Sequence, residues 1–316
     1  MVKQRGSARP EWRGIVRVPK IWDNRLACSR PVRQAMTQTV AVITPAWKAE
    51  ATIVTTVQSV LAQTHADWQL WLVADDGADY QRFLAQAGIA DDRIRYLSSG
   101  GIGRGASNTR NVALDAIATP YAALLDADDR MKPQKLELAV RALADHGVVS
   151  TALDVMSDTF RHLRHVGTGP DRTLTPGGHK WLNLSMDTMV AWDRHKADGR
   201  FDTAMSNMTD LEFLLQLYRT VPVSMHLGTP LHDYIKRSGS MSNGANVAAG
   251  MIRSKTEILQ RLATGHYGLP TQEAEGIAAF LRISLEAEAR YEAALAACPG
   301  LLFEDLLEPM LAAARS

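Results

Sequence analysis

The chain has 316 residues, length for about two domains or one large one and for a real hydrophobic core. Hydrophobic residues make up 46% and charged residues 22%, which excludes a disordered or fibrous chain. Lys+Arg 35 against Asp+Glu 34 leaves a net charge of +1, so whole-protein nucleic-acid binding has no electrostatic support and no nucleic-acid partner is expected. The two cysteines, Cys28 and Cys298, exclude a disulfide framework and a cysteine-ligated zinc site and fit a reducing compartment.

No window reaches the roughly 18 unbroken apolar residues of a membrane span. Met1 to Arg17 carries charges throughout and has no secretory apolar region, so the expected setting is the cytosol. Nine Lys/Arg against Glu11 and Asp23 put +7 between Met1 and Ala35, leaving −6 for the remainder. This segment shows no period of two or of 3.6. Three readings compete: a solvated, disordered arm over 1–38, a natural start at Met36, and a basic anchor on the inner face of an anionic membrane. The lack of an amphipathic face favours the first two.

From Thr39 the texture changes. Val40–Ile43 is a short apolar run ended by Thr44-Pro45, which predicts a buried strand. Ile53, Val57, Val60 and Leu61 recur at helical spacing. Further strands are predicted over Leu70–Val73, Arg93–Leu97 and Tyr121–Leu125, with a helix over Asn111–Ile117. Pro133 suits the first turn of a helix carrying Leu136, Val140 and Leu143. Apolar strands alternating with amphipathic helices predict an α/β fold with a mostly parallel sheet covered on both faces.

Past Gly147 the alternation loosens. Met186–Trp192 reads as a strand, and Asp210 opens a helix with Leu211, Leu214, Leu215 and Tyr218 on one face. From Met251 the chain reads as helical, with Thr271 as an N-cap and Glu273 and Glu275 in the first turn. Ile277, Phe280, Leu281, Leu285, Tyr291 and Leu295 form an apolar stripe interrupted by Glu288. Packing on the main domain or a homodimer seam accounts for it.

Ligands of open parallel sheets bind beyond the carboxyl ends of the strands. Those ends carry Thr44-Pro45-Ala46-Trp47, Asp75-Asp76-Gly77, the Gly100–Gly105 loop and Asp126-Ala-Asp-Asp129. Adjacent carboxylates stay ionised only beside a cation or in water. Asp126 and Asp128 fall on the same side of a strand end and suit one hard divalent ion, Mg²⁺ or Mn²⁺, with substrate phosphates completing its shell. A solvated acidic turn is the plain alternative. Asp76 suits a ring N–H such as uracil offers, and Trp47 offers a flat face for a base; a turn and core filling are the alternatives. Of the nine histidines, His162 and His165 lie near one another without a third ligand at useful spacing. His232 reads as solvated or capping rather than as a phosphate contact.

Taken together, Val42-Ile-Thr-Pro-Ala-Trp47, Ser59–Thr64, Asp75-Asp-Gly77, Thr109-Arg-Asn111, Leu125–Asp129, Phe201-Asp202 and Thr209-Asp210 resemble the family 2 glycosyltransferases from about Thr39 to about Asn243. The resemblance implies the GT-A fold, a Rossmann-like α/β sheet flanked by helices, and inverting, non-processive transfer from a nucleotide sugar to a glycan, lipid-linked or other hydroxyl acceptor. It implies that Pro45, Trp47, Asp76, Arg110 and Asp126 bind the nucleotide. Asp126 and Asp128 would form the DXD motif for Mn²⁺ or Mg²⁺. Asp210 would be the catalytic base, and Arg237, in a segment from Tyr234 to Ser242 that closes over the donor, would meet the diphosphate. Lys48 replaces the family's common Asn, Thr209 its Glu and Arg237 its His. The Gln-x-x-Arg-Trp motif of processive synthases is absent. Domains are expected at 39–244, with a nucleotide-binding half at 39–150 and an acceptor half at 151–244, and a helical region follows at 245–316.

Two rivals remain open on the sequence. Gly101-Ile-Gly-Arg-Gly-Ala106 mimics the dinucleotide fingerprint of an NAD(P)-dependent Rossmann oxidoreductase, although such a loop belongs at the first strand–helix turn. A non-catalytic module of the same fold is the other, since fold does not fix function.

Overall fold

The computed structural model describes residues 38–182, 189–236 and 247–315. The basic arm, Met36, Arg237 and the segment proposed to close over the donor beyond Lys236 lie outside them, as do the first three residues of the strand expected over Met186–Trp192.

The described residues hold ten strands in one sheet. They are β1 Val40–Ala46, β2 Trp68–Ala74, β3 Ile94–Ser98, β4 Tyr121–Leu124, β5 Arg130–Met131, β6 Val148–Ser157, β7 His162–Val166, β8 Arg172–Leu174, β9 Ala191–Asp193 and β10 Ser224–Lys236. The main path runs β3-β2-β1-β4-β9-β6-β10-β5, with β7 on β6 and β8 on β10. Strands β1, β2, β3 and β4 are mutually parallel. β9 runs against both β4 and β6, so β6 and its parallel partner β10 point the same way as β1. The carboxyl ends of these six strands therefore share one edge.

The helices are α1 Ile53–Leu61, α2 Tyr80–Gln86, α3 Ala106–Ala116, α4 Lys135–Leu143, α5 Pro176–Leu182, α6 Thr209–Leu217, α7 Val247–Ala263, α8 Thr271–Ala297 and α9 Phe303–Ala313. The apolar runs predicted as strands are buried on both faces. Val40, Val42, Leu70 and Leu72 pack with α1 and α4, while Ala41, Ile43 and Val73 pack with α3 and α6. Such two-sided burial is what a continuous apolar run supplies.

Several boundaries differ from expectation. α3 begins five residues before Asn111, because its first turns carry polar side chains (Ser107, Asn108, Thr109) that hide the apolar period. α4 starts at Lys135, after Pro133 and the N-cap Gln134. Thr271 is the first helical residue of α8 and the N-cap is Pro270, with no side-chain cap.

The C-terminal helices share a core with α6: Leu211 and Leu215 pack with Ile258, Ile277, Phe280, Leu281 and Leu307. Helices α5 and α8 cross at Gly276, where a Cβ would come within 2.8 Å of the Gly177 backbone. Trp181 Nε1 donates to the Gly276 carbonyl at 3.0 Å. Glu288, which breaks the apolar stripe, accepts from Lys255 Nζ at 2.5 Å, both side chains being buried. The stripe thins beyond it, and Leu295 is exposed. Among the described residues no helix is long and apolar enough to cross a membrane.

Candidate active site

The shared edge collects the acids that the sequence singled out. β1 ends at Ala46, and Trp47 beyond it is exposed, its ring lying against Gly103 of the loop before α3. Pro45 is the penultimate residue of β1, paired with Val73. Lys48 takes a left-handed conformation, φ 49°, a region that Asn tolerates better than most residues. Its N–H donates to Asp76 Oδ2 at 2.6 Å, and the Tyr80 hydroxyl donates to the same oxygen at 2.7 Å. The Ala78 N–H takes the other oxygen at 2.9 Å. Burial alone would raise the Asp76 carboxyl, but these three donors outweigh it and hold the group below its usual value. Asp76 thus stays ionised beside Trp47.

Asp75 has a separate task. Its buried carboxylate accepts from the N–H groups of Arg104 and Gly105, both at 2.9 Å, and its carbonyl accepts from Gly103 at 2.7 Å. The Gly-rich loop is therefore stitched to the end of β2. This disfavours the dinucleotide-fingerprint reading, since amides at the entrance of α3 that would face a pyrophosphate are bonded to Asp75. The loop also follows the third strand, not the first.

Arg110 is the hub. It leaves α3 with a side chain only 5% exposed. Nη2 donates to Asp126 Oδ1 at 2.7 Å and Nη1 to Asp210 Oδ1 at 3.2 Å. Its Cζ lies 5.1 Å from the centre of the Phe201 ring. The neighbouring Asn111 closes both backbone groups of Phe201, donating to its carbonyl at 2.8 Å and accepting from its N–H at 2.9 Å. The Thr-Arg-Asn and Phe-Asp motifs, some 90 residues apart, are thus one contact. Asp210 sits in the first turn of α6, entered through a left-handed Met208, φ 56°. Asp126 and Asp128 lie just past β4, both half-buried.

Behind them the chain buries more charge than the sequence suggested. Asp129 is 1% exposed; it accepts from the Ile235 N–H at 2.8 Å and faces His232 Nε2 at 3.2 Å. His232 Nδ1 meets Lys135 Nζ at 2.7 Å. The reading of His232 as solvated or capping is therefore wrong: its ring is fully buried on β10. Burial holds the His232 ring well below its usual value and lowers Lys135 to about 7. Burial, then the charges of Asp128 and Asp126, push the Asp129 carboxyl well above the carboxylate range. Asp129 thus registers a surplus of negative charge at this strand end, which a divalent cation on Asp126 and Asp128 would relieve. The all-oxygen donor set fits a hard ion.

The histidine reading also needs correction. His162 and His165 do meet a third ligand, Asp154, across the β6–β7 pair. The sequence could not show it, because the partner lies on another strand.

The family model described as Glycosyl transferase family 2 matches residues 41–207. Over 109 residues the chain is 35% identical to a UDP-Glc:alpha-D-GlcNAc-diphosphoundecaprenol beta-1,3-glucosyltransferase, WfgD, of Escherichia coli, covering 34% of this chain and 42% of that protein. Over 101 residues it is 42% identical to the putative teichuronic acid biosynthesis glycosyltransferase TuaG of Bacillus subtilis, covering 31% of this chain and 39% of that one. The matches thus span about two fifths of the length of these curated relatives. Among solved structures, S. aureus TarS 1-349 in complex with UDP-GlcNAc superposes with a TM-score of 0.61 at 16% identity, covering 87% of this chain and 79% of that one. That likeness shows the fold, a GT-A-type mostly parallel sheet flanked by helices. With the family model matching more than half of its length, the chain belongs to glycosyl transferase family 2.

Proposed function

We propose that the chain moves a sugar from a UDP-sugar to an acceptor hydroxyl in glycan assembly, one sugar at a time and with inversion at the anomeric carbon. The observation that carries this reading is the Arg110 bridge. One buried guanidinium joins Asp126, at the nucleotide-side strand end, to Asp210, on the helix facing it.

The roles follow from chemistry. Trp47 gives the base a flat face and Asp76 accepts the uracil ring N–H. Pro45 shapes the strand end beneath them. Asp126 and Asp128 would hold Mn²⁺ or Mg²⁺, which supplies positive charge to the departing diphosphate. Asp210 takes the proton of the acceptor hydroxyl; base catalysis of this kind is worth about 10²–10⁴-fold. The acceptor oxygen forms its bond to the anomeric carbon as the carbon–oxygen bond to the diphosphate breaks on the opposite face. Arg110 fixes the two carboxylates relative to each other, which is the positioning that such a displacement requires. UDP-GlcNAc in the TarS complex and UDP-Glc in the name of WfgD support a uridine donor.

Calorimetric titration of UDP, GDP, dTDP and NADH with and without Mn²⁺ tests the donor half, with Asp128→Ala alongside. UDP binding that depends on Mn²⁺, with the dependence lost in the variant, is the expected result. Asp210→Asn should bind UDP as the wild type does and lose about 10²–10⁴-fold in kcat. If no nucleotide binds under any condition, the reading fails and a non-catalytic module of this fold replaces it.

A further inference from the structure

Three further side chains converge where β6 pairs with β7. Asp154 lies near the carboxyl end of β6, and His162 and His165 lie on β7, paired antiparallel to it. Asp154 Oδ1 is 2.5 Å from His165 Nδ1 and 3.2 Å from His162 Nε2. All three ligand atoms lie within 4.8 Å of one another, and this is the group of the kind found among the described residues.

The backbone builds this group on purpose-fit geometry. Residues three apart on a strand point to opposite faces, so a regular β7 would separate the two imidazoles. The pairing instead runs Asp154↔His165, Val155↔Arg164 and then Met156↔His162, skipping Leu163. That one-residue bulge turns both rings to the same side, with their centres 4.4 Å apart. Lys132 donates to the other carboxylate oxygen, Oδ2. This orients Asp154 so that Oδ1 faces the imidazoles, the part that an outer-shell partner plays at metal sites. Lys132 also approaches Asp233 at 3.6 Å, so its charge is shared between two acids.

We propose that Asp154, His162 and His165 form a second metal site, for a borderline-soft divalent ion of the zinc class. Two imidazole nitrogens select zinc, nickel, copper or cobalt over magnesium and calcium. The oxygen pair Asp126/Asp128 has the opposite preference. Ligands at about 2.1 Å from one tetrahedral ion lie about 3.4 Å apart. The Asp154–His162 separation of 3.2 Å is already close to this. The Asp154–His165 pair must open by about 1 Å, which the half-exposed His165 ring, 56% accessible, is free to do. The exposed side of the group leaves a fourth position for water or an oxygen ligand. The bound ion clips β7 to β6, and the site stands independently of the donor reading.

The test is zinc titration of the full chain by calorimetry, with Co²⁺ as an absorbing probe of tetrahedral coordination. The wild type is compared with Asp128→Asn and with His162→Gln/His165→Gln. Both histidines are exposed, so the double variant should keep its fold, checked by far-ultraviolet circular dichroism. One saturable zinc equivalent is expected in the wild type and in Asp128→Asn, with the cobalt ligand-field bands. The double histidine variant should lose at least about 100-fold in affinity and the bands. The absence of saturable binding in the wild type, or equal binding in the double variant, overturns the proposal.

Discussion

Arg110→Met is the sharpest probe of the site. The substitution keeps most of the aliphatic volume and removes two hydrogen bonds to carboxylates, at 2.7 and 3.2 Å. Charge-assisted bonds are worth about 1.5–3 kcal/mol each. Asp126 and Asp210 retain 29% and 35% side-chain exposure, so water recovers much of that loss. The contact with Phe201 adds about 0.5–1 kcal/mol. The expected net destabilisation is about 2–3 kcal/mol, and thermal unfolding of purified protein checks it. A shift of the midpoint by about 3–5 °C would correspond to that cost in a chain of this size. Activity, measured well below the midpoint, should fall by about 100-fold, because a carboxylate displaced by 1 Å costs on that order. Arg110→Lys keeps the charge but cannot fork to both acids, so it should lie between wild type and Arg110→Met in both assays. A variant with methionine that unfolds within about 0.5 kcal/mol of the wild type, as a neutral surface change would, and transfers sugar normally would refute the hub.

Other substitutions test other layers. Asp75→Ala strips the partner from two amides of the loop before α3; it should cost about 2–4 kcal/mol in urea unfolding and weaken nucleotide binding in calorimetry. Glu288→Ala leaves Lys255 buried without its carboxylate and should cost about 3–5 kcal/mol, whereas Lys255→Met/Glu288→Leu should recover most of it. Lys135 is lowered from 10.5 to about 7 in the fold. Between those values the unfolded chain binds more protons, so this residue makes stability rise with pH across that window, by at most about 5 kcal/mol. Urea unfolding at three pH values inside the window should show the rise in the wild type and a flatter curve in Lys135→Met.

Strands β1, β2 and β4 were legible because they are largely buried on both faces and so consist mainly of apolar residues. Strands β6 and β10 were not, because they bury polar side chains that only cross-strand partners satisfy. His226 on β10 lies between the Ser150 hydroxyl at 2.9 Å and the Gly167 carbonyl at 2.7 Å. His232 lies between Asp129 and Lys135. Each looks like a surface residue until its neighbours are known. The same applies to the site. Trp47, Asp76, Asp126 and Asp128 stood out as residue types at strand ends, a local property, whereas Asp210 was singled out only by the resemblance. That Asp75 locks the Gly-rich loop, or that Arg110 touches two of those acids, depends on register between distant elements. That Asp154 meets the His162/His165 pair likewise depends on the register between β6 and β7.

The distribution of charge explains why the donor site and the histidine site would take different ions. Three aspartates stand within four residues after β4, and Arg110 neutralises one oxygen of the first. Lys135 lies inward, spent on His232. Burial and the charges of Asp128 and Asp126 push the Asp129 carboxyl well above the carboxylate range, while Asp126 and Asp128 themselves stand half-buried at the strand end. Two hard oxygens with excess charge suit an ion that also accepts phosphate oxygens. At Asp154 the balance is reversed. Lys132, shared with Asp233, partly offsets the one carboxylate of the group, and the other two donors are imidazoles, which bind a metal only when neutral. A site of that kind gains little from electrostatics and depends on nitrogen–metal bonding, so it discriminates by ligand softness. Excess Mg²⁺ should therefore compete with Mn²⁺ at Asp126 and Asp128 while leaving zinc on the histidines in place.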